Sequence, residues 1–263
     1  MITIYDWFGY DLPIQERYHL IKEAGFDGVM LWWSSYLDRN DYRKAPQLVR
    51  EADLLIENIH TPFHIQDDIW LDNLDGDAAI DCYLQSIADC AEFQIPTMVI
   101  HLPDEDKPCN ALGLKRFQTI AEKAEKLGVH VALENLHNLA NLAYLFEQLN
   151  SCRIGFCYDS SHHHRFYPNS DLLSMFGSRL MALHLHDYID VHGQYITHLL
   201  PFDGAIDWSA TIKQISKTGY TGATAIEAMN WSYEKLSIEE FLQEAYQRAK
   251  KLESLRNCIS GEQ

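Results

Sequence analysis

Short apolar runs alternate with longer amphipathic runs from one end of the 263-residue chain to the other. The short runs are rich in β-branched and aliphatic residues, which is typical of buried strands. The longer runs repeat their apolar residues three or four positions apart, as helices packed on one face do. Eight strands are predicted in this way, at residues 2–6, 28–33, 54–60, 97–102, 130–135, 153–159, 181–187 and 223–229.

The continuous alternation of strand and helix predicts a parallel sheet, and eight such units predict an α/β fold closed into a (β/α)8 TIM barrel. Several predicted helices stop at a glycine just before the next strand, as at Gly25 and Gly128. Because no linker or change of composition interrupts the chain, residues 1–263 are predicted to form a single domain. The least regular strand is 54–60, where Glu57 and Asn58 interrupt the apolar run.

Side chains that can bind metals stand at the ends of six of the eight predicted strands. The carboxyl ends of barrel strands form one face, which carries the chemistry of such folds. Any one of these residues alone is typical of a hydrogen-bonded loop position. Together they would bring like charges into one place unless a cation compensated them, so a metal site is predicted. The residues are His60, His101, Glu134, Asp159, His184 with His186, and Glu227.

The types of ligand narrow the choice of metal. Carboxylates and imidazoles without a thiolate suit a divalent ion such as Mn, Co, Mg or Zn, rather than a structural zinc cage. Cys157 is predicted to be a core residue, since buried free cysteine is common. His184 and His186 are two residues apart on a strand and face the same side. One of them could bind metal while the other orients a substrate or the first ligand.

The segment YDSSHHHRF, residues 158–166, contains three consecutive histidines. Asp159 ends a predicted strand, and His162 three residues later can fold back over the barrel mouth. His163 and His164 have no comparable placement and are predicted to be loop residues.

Charge and composition exclude several classes of partner. A formal net charge of −17 repels phosphate backbones, so no nucleic acid and no anionic membrane surface is expected. No apolar run approaches the roughly 20 residues that span a bilayer. The N-terminal MITIYDWFGYD lacks the features of a secretory signal, and the six cysteines form no C-x-x-C pair. A cytoplasmic protein with reduced thiols is therefore expected, and a homo-oligomer is compatible with these features.

Seven motifs along the chain resemble those of the xylose-isomerase-like TIM barrel superfamily. That superfamily holds sugar and sugar-phosphate isomerases and epimerases, ketose 3-epimerases and endonuclease IV. The motifs occur in family order over essentially the whole chain, and they are far more specific for the superfamily than for one reaction. They are HTPF (60–63), VIHLP (99–103), LEN (133–135), YDSSH (158–162), HLHD (184–187), HLLPFDGAIDW (198–208) and IEAM (226–229).

The resemblance implies one divalent metal ion with a defined set of ligands. His184 is preferred to His186 because the family's metal histidine precedes the strand's terminal acid by three residues, and that acid is Asp187 here. The implied metal ligands are Glu134, Asp159, His184 and Glu227.

The resemblance also implies a reaction. In the family's isomerases and epimerases the two metal-linked glutamates transfer the proton, and the metal stabilises the enediolate. Glu134 and Glu227 would be this catalytic pair, one on each face of the substrate, and His162 would contact a substrate oxygen.

Two departures from family patterns bear on the reaction. Ketose 3-epimerases carry a Glu six residues after the first glutamate and an Arg six residues after the metal histidine, where this chain has Ala140 and Asp190. Their specific substrate contacts therefore do not carry over. Endonuclease IV holds further zinc ions with residues that match His60, His101, His162 and His198, all present here. However, Ile196 replaces the aspartate that its pattern places two residues before the last of these histidines.

Aromatic residues crowd the predicted strand ends, as in a pocket for the apolar face of a sugar. No glycine-rich turn or cluster of Lys and Arg follows the seventh and eighth strands, so a neutral or weakly acidic sugar is favoured over a sugar phosphate.

We predict a metal-dependent sugar isomerase or epimerase. The alternatives are a phosphodiester hydrolase resembling endonuclease IV and a non-catalytic metal- or sugar-binding barrel. The expected substrate-binding residues are His60, His101, His162, His186, His198, Trp7, Trp32 and Trp231.

Overall fold

The computed structural model describes residues 1–35 and 41–260 of the chain. Each of the eight predicted strands is present, with ends that differ by a few residues, and two further strands, β8 and β9, form a hairpin. The strands of the described residues are β1 (Ile2–Tyr5), β2 (Gly28–Trp32), β3 (Leu55–His60), β4 (Thr97–Ile100), β5 (His130–Glu134), β6 (Ile154–Asp159), β7 (Leu180–His184), β8 (Asp187–Val191), β9 (Gln194–Leu199) and β10 (Thr224–Ile226).

Eight of these strands form one parallel sheet in the spatial order β10-β1-β2-β3-β4-β5-β6-β7. The sheet closes where the Leu185 N–H donates to the Ala225 carbonyl at 2.9 Å and the Leu185 carbonyl accepts the Glu227 N–H at 3.1 Å. The predicted (β/α)8 barrel is confirmed. Because all eight strands run in the same direction, their carboxyl ends meet at one mouth.

Helices cover the outside of the barrel. Gly25 and Gly128 follow two of them in the left-handed region, with φ of 106° and 74°, as the sequence predicts. Within residues 1–35 and 41–260, none has the length and apolarity of a membrane span. They are α1 (Ile14–Ala24), α2 (Ala45–Glu51), α3 (Leu74–Glu92), α4 (Ala111–Leu127), α5 (Leu139–Gln148), α6 (Ser160–Phe166), α7 (Leu172–Phe176), α8 (Trp208–Lys217) and α9 (Ile238–Ser260).

The irregular sequence of β3 corresponds to an irregular register. Val29 pairs with Ile56, but Met30 pairs with Asn58, so Glu57 is an extra residue in the ladder. The half-buried Glu57 carboxylate accepts a 2.6 Å hydrogen bond from the Thr3 hydroxyl. The polar residue that interrupts the apolar pattern therefore lies at a bulge and has a partner.

The hairpin of β8 and β9 at the barrel mouth was not predicted. The predicted strand 181–187 ends at His184, and Asp187 begins the hairpin instead. Its turn uses His192 and Gly193, both with positive φ, which is the requirement of a tight two-residue hairpin turn. Asp187 also fixes the segment after the hairpin, because its carboxylate accepts hydrogen bonds from the backbone N–H groups of Phe202 and Ile206 and from the Trp208 indole.

Two apolar regions support the mouth. The larger one fills the space between the barrel and its helices. A smaller one lies inside the barrel, where the fully buried side chains are small, which leaves room for the polar residues above them. It consists of Val99, Ala132, Cys157 and Ala182, so Cys157 is buried as predicted.

Candidate metal centre and active site

The polar strand-end residues converge at the mouth of the barrel. His60, Glu134, Asp159 and His184 are the last residues of β3, β5, β6 and β7, and His101 and Glu227 directly follow β4 and β10. Ligand atoms of four buried residues lie within 4.8 Å of one another, and these are the residues that the family resemblance implies: Glu134, Asp159, His184 and Glu227.

The centre of this cluster is the imidazole of His184. Its Nδ1 lies 3.1 Å from Glu134 Oε2 and 3.2 Å from Glu227 Oε2. His162 approaches from the other side of Glu134, with its Nδ1 3.3 Å from Oε1. Two carboxylates from different strands therefore meet at one imidazole nitrogen.

The residues of the cluster fit a divalent cation. Glu134 Oε2, His162 Nδ1 and His184 Nδ1 are buried and have no hydrogen-bond partner among the described residues. Buried polar atoms without such partners are rare in folded proteins. Carboxylate oxygens and imidazole nitrogens are also the donors that Mn, Co and Zn accept.

The pKa shifts of the cluster also indicate that its buried carboxylates are stabilised by positive charge. Burial alone would raise the pKa of Glu134, but the imidazoles of His184 and His101 hold it well below its usual value. Burial works against a charged His162, yet Asp159 and Glu134 raise the pKa of His162 to about 9. Imidazolium groups thus balance the buried carboxylates of the metal-free protein, a role that a bound cation would take over.

The backbone around Asp159 is held in place by neighbouring motifs. Asn135 donates from its side-chain amide to the Asp159 carbonyl and accepts the Asp159 N–H, both at 2.9 Å. Asp159 Oδ1 accepts the His162 N–H at 2.7 Å, which caps α6. A spacing of three residues is the one that such a cap requires, and the cap holds His162 over the mouth.

The other two histidines of the triplet do not form a loop, so that expectation is wrong. The cap at Asp159 starts a helix, and both histidines belong to α6. His163 is buried, with its Nδ1 2.8 Å from the Tyr158 hydroxyl and its Nε2 2.8 Å from the Ser170 carbonyl. His164 is half-buried and stacks on Tyr188 of the hairpin.

A second convergence of ligand atoms involves His60 and His101, whose Nε2 atoms are 3.2 Å apart. His60 Nδ1 donates to the Thr61 carbonyl at 2.8 Å, and His101 Nδ1 donates to Gln66 Oε1 at 3.0 Å. In the neutral imidazoles both Nε2 atoms therefore carry lone pairs. They lie 3.5 and 3.2 Å from Glu134 Oε2, so a second cation could bind here.

His198 reaches the site from the end of the hairpin, in a backbone conformation with φ of 56°. Its N–H donates to His186 Nδ1 at 3.0 Å, and its own Nδ1 donates to the Glu227 carbonyl at 2.9 Å. Burial, together with the nearby His186, lowers the pKa of His198 to about 4. The ring is therefore neutral, with an acceptor lone pair on Nε2.

A cavity of about 410 Å³ opens above these groups, within the size range of small-molecule sites. Its floor is polar and its walls are largely aromatic or aliphatic. No lysine or arginine lines it among the residues the structure describes. It is lined by Tyr5, Trp7, His60, Phe63, His101, Glu134, Leu136, His162, His198, Glu227, Met229 and Trp231.

Six of the eight expected substrate-binding residues line this cavity, and Trp32 and His186 lie behind it. Trp32 is 2% exposed and packs against His60 and Phe63. His186 is fully buried beside Asp159. The lining residues missed from the sequence include Tyr5, Leu136 and Met229, which stand at strand ends or two residues after a predicted glutamate ligand. Their positions beside strand ends and glutamate ligands could have identified them as cavity residues from the sequence.

Residues 18–258 match the family described as the xylose isomerase-like TIM barrel. The chain belongs to this family. The match includes the segments of all seven motifs, residues 60–229.

Two relatives extend the comparison. The uncharacterized protein y4fM of Sinorhizobium fredii is 27% identical in an alignment that covers 97% of this chain and 94% of that protein. Inosose isomerase of Bacillus subtilis is 28% identical over 137 residues, which cover 48% of this chain and 49% of that protein.

Solved structures share the fold. L-ribulose 3-epimerase has a TM-score of 0.75 at 16% identity, over 98% of this chain and 96% of that chain. The crystal structure of the IOLI protein with a zinc atom has a TM-score of 0.74 at 17% identity, over 98% of this chain and 99% of that chain. Similarity at this level identifies the architecture of the xylose isomerase-like barrel, while function depends on the site.

Proposed function

We propose that this protein is a sugar isomerase or epimerase that uses one divalent metal ion held by Glu134, Asp159, His184 and Glu227. The observation that carries the proposal is the placement of two carboxylates, Glu134 and Glu227, on one imidazole nitrogen at the floor of a cavity. Relatives named as an inosose isomerase and an L-ribulose 3-epimerase support this class of reaction.

The proposed chemistry is a proton transfer at the carbon beside a carbonyl group. A bound divalent ion supplies positive charge that makes this C–H bond more acidic. One of Glu134 and Glu227 removes the proton, and the same or the other carboxylate returns it to the enediolate. His162 lines the cavity beside Glu134 and donates a hydrogen bond from a ring N–H to a substrate oxygen.

The walls of the cavity favour an uncharged substrate. Trp7 and Trp231 meet edge to face with ring centroids 6.2 Å apart, and Trp231 is 53% exposed at the entrance. Aromatic faces of this kind pack against the C–H face of a sugar. Since no lysine or arginine lines the cavity within the described residues, a neutral sugar or polyol ketone fits it better than a sugar phosphate.

The deciding experiment is NMR of a panel of sugars after incubation in deuterium oxide with the metal-loaded protein. The protein is loaded with Mg²⁺, Mn²⁺, Co²⁺ or Zn²⁺, and the protein and its metal are removed before the spectra are recorded. We expect deuterium to enter one C–H position next to the carbonyl, together with an isomerised or epimerised product. Absence of deuterium from every sugar, with cleavage of a phosphodiester by the same preparation, would overturn the proposal.

A phosphodiester hydrolase is the second candidate, favoured by the converging Nε2 atoms of His60 and His101. A hydrolase of that kind uses two or three ions, whereas the isomerase needs one. The formal net charge of −17 opposes binding of a nucleic acid. Metal analysis of the active protein separates the two, because one ion per chain supports the isomerase and two or three support the hydrolase. Tight sugar binding without turnover would point to a binding protein.

A further inference from the structure

The polar and apolar side chains of the cavity lie at different levels. The strand-end residues form its polar floor, which includes Glu134 and Glu227. Leu136 follows Glu134 by two residues, Met229 follows Glu227 by two residues, and both line the cavity. Because the carboxyl ends of the strands point to the mouth, each candidate proton-transfer carboxylate is followed, towards the entrance, by an apolar side chain.

The apolar side chains of the cavity form an arc above this floor, which we call the apolar arc. Its residues follow the ends of β1, β3, β5 and β10. In the barrel, β10, β1, β2, β3, β4 and β5 are successive neighbours, so the arc extends around the mouth from β10 to β5. On the remaining side, near β6 and β7, the cavity is lined by His162 and His198. The apolar arc consists of Trp7, Phe63, Leu136, Met229 and Trp231.

The apolar arc offers little to a hydroxyl group. The indole N–H groups of Trp7 and Trp231 can donate a hydrogen bond, but the only acceptor among the five side chains is the Met229 thioether, which is weak. A hydroxyl group that points at the arc would therefore give up water without a full replacement. An alkyl or aryl group would instead remove apolar surface from water, since Phe63 is 37% exposed and Trp231 is 53% exposed.

We propose that the substrate is a sugar ketone that carries an alkyl or aryl group where it faces the apolar arc, as an ether or a glycoside does. This inference rests on the proposed function, because it places the reacting carbon at the two carboxylates. A ketose with a free hydroxyl on every carbon would leave hydroxyls facing the arc. In the substituted sugar, the remaining hydroxyls face His162 and His198, whose ring nitrogens donate or accept hydrogen bonds.

The test compares two small ketones that share the reacting group. The mono-O-benzyl ether of dihydroxyacetone carries an apolar group next to its hydroxy ketone, whereas erythrulose carries a hydroxylated carbon there. Each ketone is incubated in deuterium oxide with the metal-loaded protein at several ketone concentrations, and NMR measures deuterium entry beside the carbonyl after the protein and metal are removed. We expect the KM for the ether to be at least about tenfold lower than the KM for erythrulose, because one apolar group of methylene size already discriminates by about 10–200-fold.

Variants of the apolar arc connect this preference to the structure. Trp231→Ala should raise the KM for the ether and leave the KM for erythrulose nearly unchanged. Leu136→Asn supplies an amide donor and acceptor and should lower the KM for erythrulose. If Leu136→Asn fails to fold, Trp231→Ala decides, since Trp231 is exposed at the entrance. The matched control is Tyr195→Ala, which should change neither value, because Tyr195 is an aromatic residue of β9 that is 38% exposed and does not line the cavity.

Several outcomes would overturn the inference and leave the proposed function standing, because deuterium would still enter a C–H position. They are a KM for the ether no lower than that for erythrulose, an unchanged preference in Trp231→Ala, an equal effect of Tyr195→Ala, and exchange of free sugars without exchange of the ether. Absence of exchange from both ketones and from every sugar of the panel would instead overturn the proposed function.

Discussion

His186 Nε2 donates a 2.8 Å hydrogen bond to Asp159 Oδ2, and both residues are fully buried. The tautomer follows from the other side of the ring, where His186 Nδ1 accepts the His198 N–H at 3.0 Å. The neutral imidazole therefore has no free lone pair for a metal. His186 orients a candidate ligand, and the hairpin that carries His198 orients His186.

We expect His186→Ala to weaken binding of Mn²⁺ or Zn²⁺ about 10–100-fold, because Asp159 loses the donor that holds its carboxylate. Activity should fall with the metal content and recover in part at high metal concentration. Chelator competition and activity measured against metal concentration check this. Unchanged affinity would show that the Asp159 carboxylate is held without His186.

The three consecutive histidines should respond differently to replacement by alanine. His162→Ala should reduce turnover strongly and leave the fold intact, because this side chain faces Glu134 and the cavity. His163→Ala should instead lower the free energy of unfolding by about 1–3 kcal/mol, since the Tyr158 hydroxyl and the Ser170 carbonyl lose a buried partner. His164→Ala is the control and should change both quantities least. Urea unfolding and initial rates of the three variants separate these effects, and equal loss of turnover in all three would contradict them.

Much of the fold and of the candidate site follows from local sequence pattern. Apolar runs identify the barrel strands because both faces of a parallel strand are buried, and Glu134 and Asp159 are recognisable because they end such runs. The hairpin at Asp187–Leu199 was missed because His192–Gly193 is a weaker turn signal than the Asn-Gly pair typical of such hairpins.

Other features depend on contacts between distant parts of the chain. The burial of His163 depends on Ser170, and the neutral form of His186 depends on a backbone N–H supplied by the hairpin. The position of Trp32 at a strand end predicted a contact with the substrate. In the structure Trp32 instead packs against His60 and Phe63, behind the cavity wall. Spacing along one strand carries none of this information.

Metal binding should release protons at neutral pH. The pKa of His162 is raised to about 9, so this imidazole is protonated at pH 7 and loses its proton as the pH rises through 9. A cation that replaces this charge displaces the proton, so the affinity should rise with pH between about 7 and 9, by up to about tenfold per unit for one proton. Calorimetry in buffers of different ionisation enthalpy measures the number released. His162→Gln should release one proton fewer, and an identical count would assign the release to other groups.

The sharpest test of the acid–base pair is the replacement of each glutamate by glutamine. Glu134→Gln and Glu227→Gln keep the shape of the side chain, so the barrel should stay folded, but an amide cannot accept the substrate's proton. We expect turnover to fall by about 10²–10⁴-fold in each variant, with any loss of metal adding to this. Metal content must be measured on each variant, because weakened binding would otherwise be read as lost chemistry. If a variant kept both its metal and near-native deuterium exchange at the substrate carbon, that glutamate would not be the base, and retention by both would favour the hydrolase or the binding protein.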